Sequence, residues 1–345
     1  MSSLDLGPIP SETSSDPPSG MGPAREAGEE ALSGESAPTD PPPPPEPGSI
    51  VGSAPPVWMG SPVERSAPRR PLLHLTLFVL TVITTTGVGT LWFYDPDQPL
   101  GSSLARGFLF SFSLLTILTA HEMGHFLACR WYGVAATWPY FLPVPFPPVG
   151  TFGAFIRIQS PIPTRRALFD IGIAGPLAGF VFLIPAAWIA HHSAEPALLE
   201  SLGEGVIYFE SPLLFRLFEW GYGLPEVMLN PVMWAAWVGA LVTSLNLLPV
   251  GQLDGGHVTY AVFGRRGHRW VSRLCYLAVL GLTVFSIYHG VWNWLVWAII
   301  LTFLLRVGHP PVLDPIAPLG RERVVVALIG LIVFLLCFMP MPIRF

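Results

Sequence analysis

His121, Glu122 and His125 form the segment His-Glu-Met-Gly-His inside an apolar run at about residues 104–130. Residues four apart on a helix share a face. Two imidazoles at that spacing can grip one metal ion while the glutamate beside the first reaches a water next to it. The pattern is short enough to arise by chance in a soluble chain. Within an apolar run of membrane-spanning length it is costly, because a charged side chain near the centre of a span carries about 2.5–3.5 kcal/mol. A divalent cation is the compensating partner such a group needs. The alternative is that this end of the helix emerges into water at Arg130. Catalytic zinc takes three protein ligands plus water, so the third must come from elsewhere. The best candidate is Asp254, in the stretch from Asn246 to His257, Asn-Leu-Leu-Pro-Val-Gly-Gln-Leu-Asp-Gly-Gly-His. Pro249 and Gly251 break the apolar run there, and Gly255 and Gly256 let the backbone pass close to another helix.

Other residues compete for roles. His257 reads either as a hydrogen-bond partner behind the ligands or as a further ligand. Cys129 lies four residues beyond His125, but two turns from His121, and reads as a packed apolar thiol. His191 and His192 fall at the opposite end of their run and read as interfacial histidines. Gly172, Gly175 and Gly179 form a small-residue face suited to close helix packing.

The elements that must position these residues are membrane helices. The chain has 345 residues, 51% hydrophobic against 12% charged, and a mean hydropathy of +0.53, a balance that no ordinary soluble surface has. Apolar runs of crossing length begin at Leu72–Tyr94 and recur at about 104–130, 167–190, 231–250, 270–288, 290–306 and 323–340, which predicts an all-α polytopic protein of about seven transmembrane helices. Residues 1–68 are rich in Pro, Ser, Gly and Glu and include the run Pro41–Pro45; they cannot bury enough surface to order, and predict a disordered cytoplasmic tail that serves as a spacer or as a docking ligand for an adaptor protein. Residues 69–345 form the membrane domain, with the histidine pair on the span at about 104–130 and Asp254 on the one at about 231–263. All 18 basic residues are arginine. With the N-terminus inside, fourteen of them fall on the inner side against Arg106, Arg216 and Arg344 outside, the asymmetry expected of cytoplasmic loops. This puts His125 and Asp254 at similar depth near the cytoplasmic face.

Two stretches are not simple spans. Trp138–Ile158 mixes prolines, aromatics and glycines and predicts a re-entrant loop leading to a short β-hairpin near Gly150–Ile158. Residues 206–222 alternate apolar side chains with Glu210, Arg216 and Glu219 and predict a helix lying at the outer interface. Cys129, Cys275 and Cys337 are far apart and show no CxxC pair, so no disulfide framework is expected. The first residues show no basic stretch followed by a short apolar run, so insertion is expected to start with the first membrane span. The net charge of −5 reflects carboxylates concentrated in the tail and in one loop near 195–226, and carries no nucleic-acid implication.

Taken together, the His121–His125 motif and the distant Asn246-x-x-Pro249-x-x-x-Leu253-Asp254-Gly255 motif resemble the site-2 protease family of intramembrane zinc metalloproteases over roughly residues 71–320. The Gly150-x-x-Gly153-Ala-Phe segment and Gly175-Pro176 are similar to that family too. The resemblance implies one zinc ion on His121, His125 and Asp254, with Glu122 as general base. It also implies regulated intramembrane proteolysis of single-span membrane proteins, substrate contacts from Asn246 and the hairpin around Gly153, and a place in a lipid membrane, here the bacterial inner membrane. Many bacterial members carry a PDZ-type domain between the two motifs; no such domain fits between His125 and Asn246, so the chain resembles the compact members. A metal or solute transporter with a polar intramembrane site is the alternative, since broken helices also mark transport sites, but a carrier has no need of Glu122.

Overall fold

The computed structural model describes residues 71–194, 208–223, 228–309, 312–316 and 318–344; the Pro-rich tail predicted at 1–68 lies outside the described residues. Eight helices occur among them: α1 (Pro71–Trp92), α2 (Leu100–Trp131), α3 (Arg165–His192), α4 (Leu213–Tyr222), α5 (Pro231–Asn246), α6 (Asp254–Tyr288), α7 (Asn293–Val307) and α8 (Arg321–Cys337). Helix occurs within each of the seven apolar runs. Four helices, α1, α2, α3 and α6, are long and apolar enough to cross a membrane. Helices α5, α7 and α8 have 16, 15 and 17 residues, or about 22–26 Å at the helical rise, short of the roughly 30 Å hydrocarbon core.

Helix α5 is central. Of its 16 residues, 13 are buried, as expected of a helix that is hydrophobic all round. Its start is fixed by Asn230, whose side chain accepts from the Met233 N–H at 2.8 Å and donates to the Ala190 carbonyl at the end of α3 at 2.9 Å, and by Pro231 in the first helical position. Trp234, Phe110, Phe169 and Leu183 anchor the core around α2, α3 and α5. The outer flanks of α1, α6, α7 and α8 instead expose large apolar side chains such as Ile83, Leu277, Phe303 and Leu331.

Helix α6 combines the segment that carries Asp254 with the run at 270–288, through a break at Gly264 (φ 68°, ψ 179°). Such a break orphans helical carbonyls. Arg165 at the start of α3 satisfies two of them, donating to the Ala261 carbonyl and, at 2.7 Å, to that of Val262.

The hairpin differs in extent from the sequence expectation. Its strands are β1 (Tyr140–Pro143) and β2 (Thr151–Phe155), antiparallel, with Tyr140 opposite Phe155 and Phe141 opposite Ala154, so it begins ten residues before Gly150. Stacking of Tyr140 on Phe155, with centroids 5.4 Å apart, extends the pairing into the proline-rich stretch, and the register slips only between Phe141 and Pro143, where proline offers no N–H. The segment runs along α1. His74 Nδ1 lies 3.2 Å from the Pro139 carbonyl, Thr84 donates to the Gly150 carbonyl at 2.8 Å, and Trp92 Nε1 donates to the Pro148 carbonyl at 2.8 Å. From residue 74 to residue 92 α1 rises about 27 Å, so these three contacts tie the irregular segment to α1 along most of that helix.

The predicted interfacial helix begins later than expected. Residues 206 and 207 lie outside the described residues, and Tyr208–Phe209 form a short strand, β3, antiparallel to β4 (Ile343–Arg344). Helix α4 starts only after Pro212.

Candidate metal centre

The 3.6-residue period of α2 stacks His121 over His125 with rings 4.9 Å apart. Both are buried, at 3% and 7% exposure, and Glu122 between them is 8% exposed. Helix α5 stops at Asn246, a turn follows, and α6 starts at Asp254. The turn folds back so tightly that a Cβ on Gly255 would meet the Leu247 carbonyl oxygen at 1.9 Å. Asn246 and Asp254 therefore reach the same histidine. Asp254 Oδ2 is 3.2 Å from His121 Nε2, and the Asn246 side-chain amide approaches the same Nε2 at 3.3 Å.

Three donor atoms form a nearly equilateral triangle: His121 Nε2 to Asp254 Oδ2 3.2 Å, His125 Nε2 to Asp254 Oδ2 3.3 Å, and His125 Nε2 to His121 Nε2 3.2 Å. Donors on a tetrahedral zinc, each at about 2.0–2.1 Å, stand about 3.3–3.4 Å apart, so the donor set fits that ion in type and in spacing. It is the group of three metal-ligating side chains found among the described residues. The tautomer of His125 fits as well. Its Nδ1 lies 2.7 Å from the Ile171 carbonyl, which can only accept, so Nδ1 carries the proton and Nε2 offers its lone pair to the triangle.

Helix α3 shapes the site. A Cβ on Gly175 would stand 2.0 Å from His125 Nε2, so any other residue there would displace the imidazole. Gly179 faces the His121 ring, and a Cβ on Gly172 would meet the His257 Cβ at 2.7 Å. The glycine face thus packs against the histidines themselves, a role that a small-residue pattern does not by itself disclose. The backbone amide of Ile156, just past β2, faces the Glu122 carboxylate, which puts the hairpin beside the centre. Gly153 lies in β2 with open space where a side chain would be, and β2 pairs only with β1, so its other edge is free among the described residues.

Not every candidate joins the triangle. His257 Nδ1 bonds His309 Nε2 at 2.7 Å. His309 carries no signal in the sequence, because it sits 52 residues beyond His257, in the irregular segment just past α7. Cys129 is fully buried with Val134, Ala167 and Ile171, outside the ligand group. His191 is buried at the far end of α3, with Nδ1 on the Ala187 carbonyl and Nε2 3.8 Å from Glu219. Also unmarked in the sequence is a polar clamp at the end of α2: Arg323 grips Asp170 through two bonds of 2.9 and 2.7 Å, and Tyr132 donates to the same carboxylate.

A multi-pass helical membrane protein with paired histidines and an aspartate converging on one point is the class that fold and site define. By sequence the chain belongs to peptidase family M50, whose model matches residues 109–287. It is similar to "Probable zinc metalloprotease EGY1, chloroplastic" of Arabidopsis thaliana, 29% identical over 296 residues covering 78% of this chain and 53% of that protein. It is also similar to "Probable zinc metalloprotease EGY2, chloroplastic" of Oryza sativa subsp. indica, 32% identical over 211 residues covering 60% and 36%. The chain thus spans about half, or less, of the length of these relatives. Among solved structures, the site-2 protease from Methanocaldococcus jannaschii matches with a TM-score of 0.37 and 15% identity, covering 69% of this chain and 89% of that one.

Proposed function

We propose that the chain is an intramembrane zinc metalloendopeptidase that hydrolyses peptide bonds within or next to the transmembrane segments of single-span membrane proteins. The observation that carries this reading is the triangle of His121, His125 and Asp254 donors with Glu122 beside it. Bound there, zinc would supply a Lewis acid that polarises the scissile carbonyl and acidifies water. Glu122 takes the proton from the attacking water and returns it to the leaving amine nitrogen. A substrate helix offers no free carbonyl until it unwinds; the open edge of β2 around Gly153 receives the unwound segment as an added strand, and Asn246 holds its backbone near His121. His257 supports the site from behind.

The arginine asymmetry favours seven spans with the N-terminus in the cytoplasm, the centre near the cytoplasmic face and the Pro-rich tail available to an adaptor. The membrane in this reading is the bacterial inner membrane; the relatives' names place those proteins in chloroplasts.

The test compares purified wild type with Glu122→Gln for bound zinc and for cleavage of a panel of single-span proteins. Expected are equal zinc contents and cleavage at least about a hundredfold slower in the variant. Equal processing by both, or a metal-replete wild type without zinc, overturns the proposal.

A further inference from the structure

A second polar feature lies away from the metal centre, where α6 resumes after the Gly264 break. Arg265, His268, Arg269, Ser272 and Arg273 fall at i, i+3, i+4, i+7 and i+8, a single helix stripe. They line one wall of a cavity of about 310 Å³ that the end of α7 and the residues just after it close through Leu305, Val307 and His309. Among the described residues, no carboxylate lines this cavity. None of the three arginines has an ion-pair partner among the described residues. The floor is built: His268, 4% exposed, is held by Thr259 at 3.0 Å, and the Ser272 hydroxyl donates to the Pro249 carbonyl at 2.7 Å.

Unpaired guanidiniums around a cavity with a histidine floor match a phosphate ester, which arginine recognises through several donors at once. Lining and surroundings favour a lipid as its source. Leu305 and Val307 offer an apolar side to a glycerol backbone. Trp270 is exposed, with the Arg273 guanidinium 5.7 Å from its ring centroid, the pairing of aromatic and cation found at a membrane interface. Basic pockets between membrane helices take anionic headgroups in this way. From these observations we infer that the α6–α7 cavity is a binding site for the phosphate group of an anionic phospholipid. The site also touches the metal centre's surroundings, because His309 in its wall holds His257, whose Cβ packs on Gly172 in the glycine face of α3. This inference does not depend on the proteolytic reading, and its test uses no cleavage assay.

The full chain, purified in a neutral detergent, is titrated with phosphatidylglycerol, with phosphatidylcholine and with inorganic phosphate, and lipid retained is counted by native mass spectrometry. Wild type is compared with the Arg269→Gln/Arg273→Gln double variant and with Arg157→Gln as a control for charge elsewhere. The expected result is one phosphatidylglycerol retained in preference to phosphatidylcholine, with affinity about thirtyfold weaker in the double variant and unchanged in the control. Displacement of the lipid by inorganic phosphate supports the same phosphate site with a soluble source. Equal retention by wild type and double variant, or no preference of the wild type for phosphatidylglycerol and no response to phosphate, overturns the inference. If the double variant does not fold, the wild-type preference and its competition by phosphate decide alone.

Discussion

Gly175 lies against the imidazole of His125 so closely that a methyl group on its Cα would stand 2.0 Å from Nε2. The two residues belong to different helices and are 50 positions apart. Alanine at 175 therefore leaves α3 intact, since alanine is the better helix former, while it pushes His125 away from Asp254. Gly175→Ala is expected to weaken zinc binding about 10- to 100-fold, the scale of lost support behind a metal ligand, with a helical circular dichroism spectrum like that of wild type. Wild-type zinc affinity in this variant would show that His125 is not the ligand.

Asp254 and Asn246 both reach His121 and should separate by metal content. Asp254→Ala removes one donor of the triangle and should purify without zinc. Asn246→Ala should keep zinc and lose cleavage rate, because in the proposed reading its amide holds substrate rather than metal. Zinc loss in Asn246→Ala as well would recast the residue as a support for the His121 ring.

The open edge of β2 is tested with proline. Adjacent strand residues send their N–H groups to opposite sides, so of Ala154→Pro and Phe155→Pro one removes a donor toward β1 and the other a donor toward the open edge. One variant should lose thermal stability, and the other should lose cleavage with stability kept. Unchanged cleavage in both would remove strand addition from the mechanism.

The Asp170–Arg323 pair, bidentate and joined by Tyr132, fastens α8 to α3 and to the end of α2. Arg323→Gln and Asp170→Asn should each destabilise by roughly 1–3 kcal/mol, the range for hydrogen bonds to charged groups. The double variant should cost less than the sum of the two, measured as unfolding in detergent. Additive losses would mean that the two side chains do not act together.

What the sequence discloses is local. The pairing of His121 with His125 follows from a four-residue spacing, the helices follow from apolar runs, and Asp254 follows from a broken run rich in glycine and proline. What it hides depends on which distant segments meet. Nothing in Gly175 announces that its missing side chain makes room for an imidazole, and nothing near His309 announces His257. Prolines in Trp138–Ile158 mask a strand that stacking of Tyr140 on Phe155 recovers, so the hairpin was expected ten residues too late. Hydropathy also cannot separate α5, wrapped by protein, from α1, half of whose residues are exposed, because both are apolar.

The metal triangle closes across 133 residues, from His121 to Asp254. During synthesis both histidines are made, and α2 is complete, long before the third donor exists. A chain cut after α5 holds two of the three donors and lacks Asp254. In the proposed reading, a chain that ends before α6 carries Glu122 and both histidines without the carboxylate that completes the donor set. The order of residues along the chain thus makes the donor set complete only once α6 has been added.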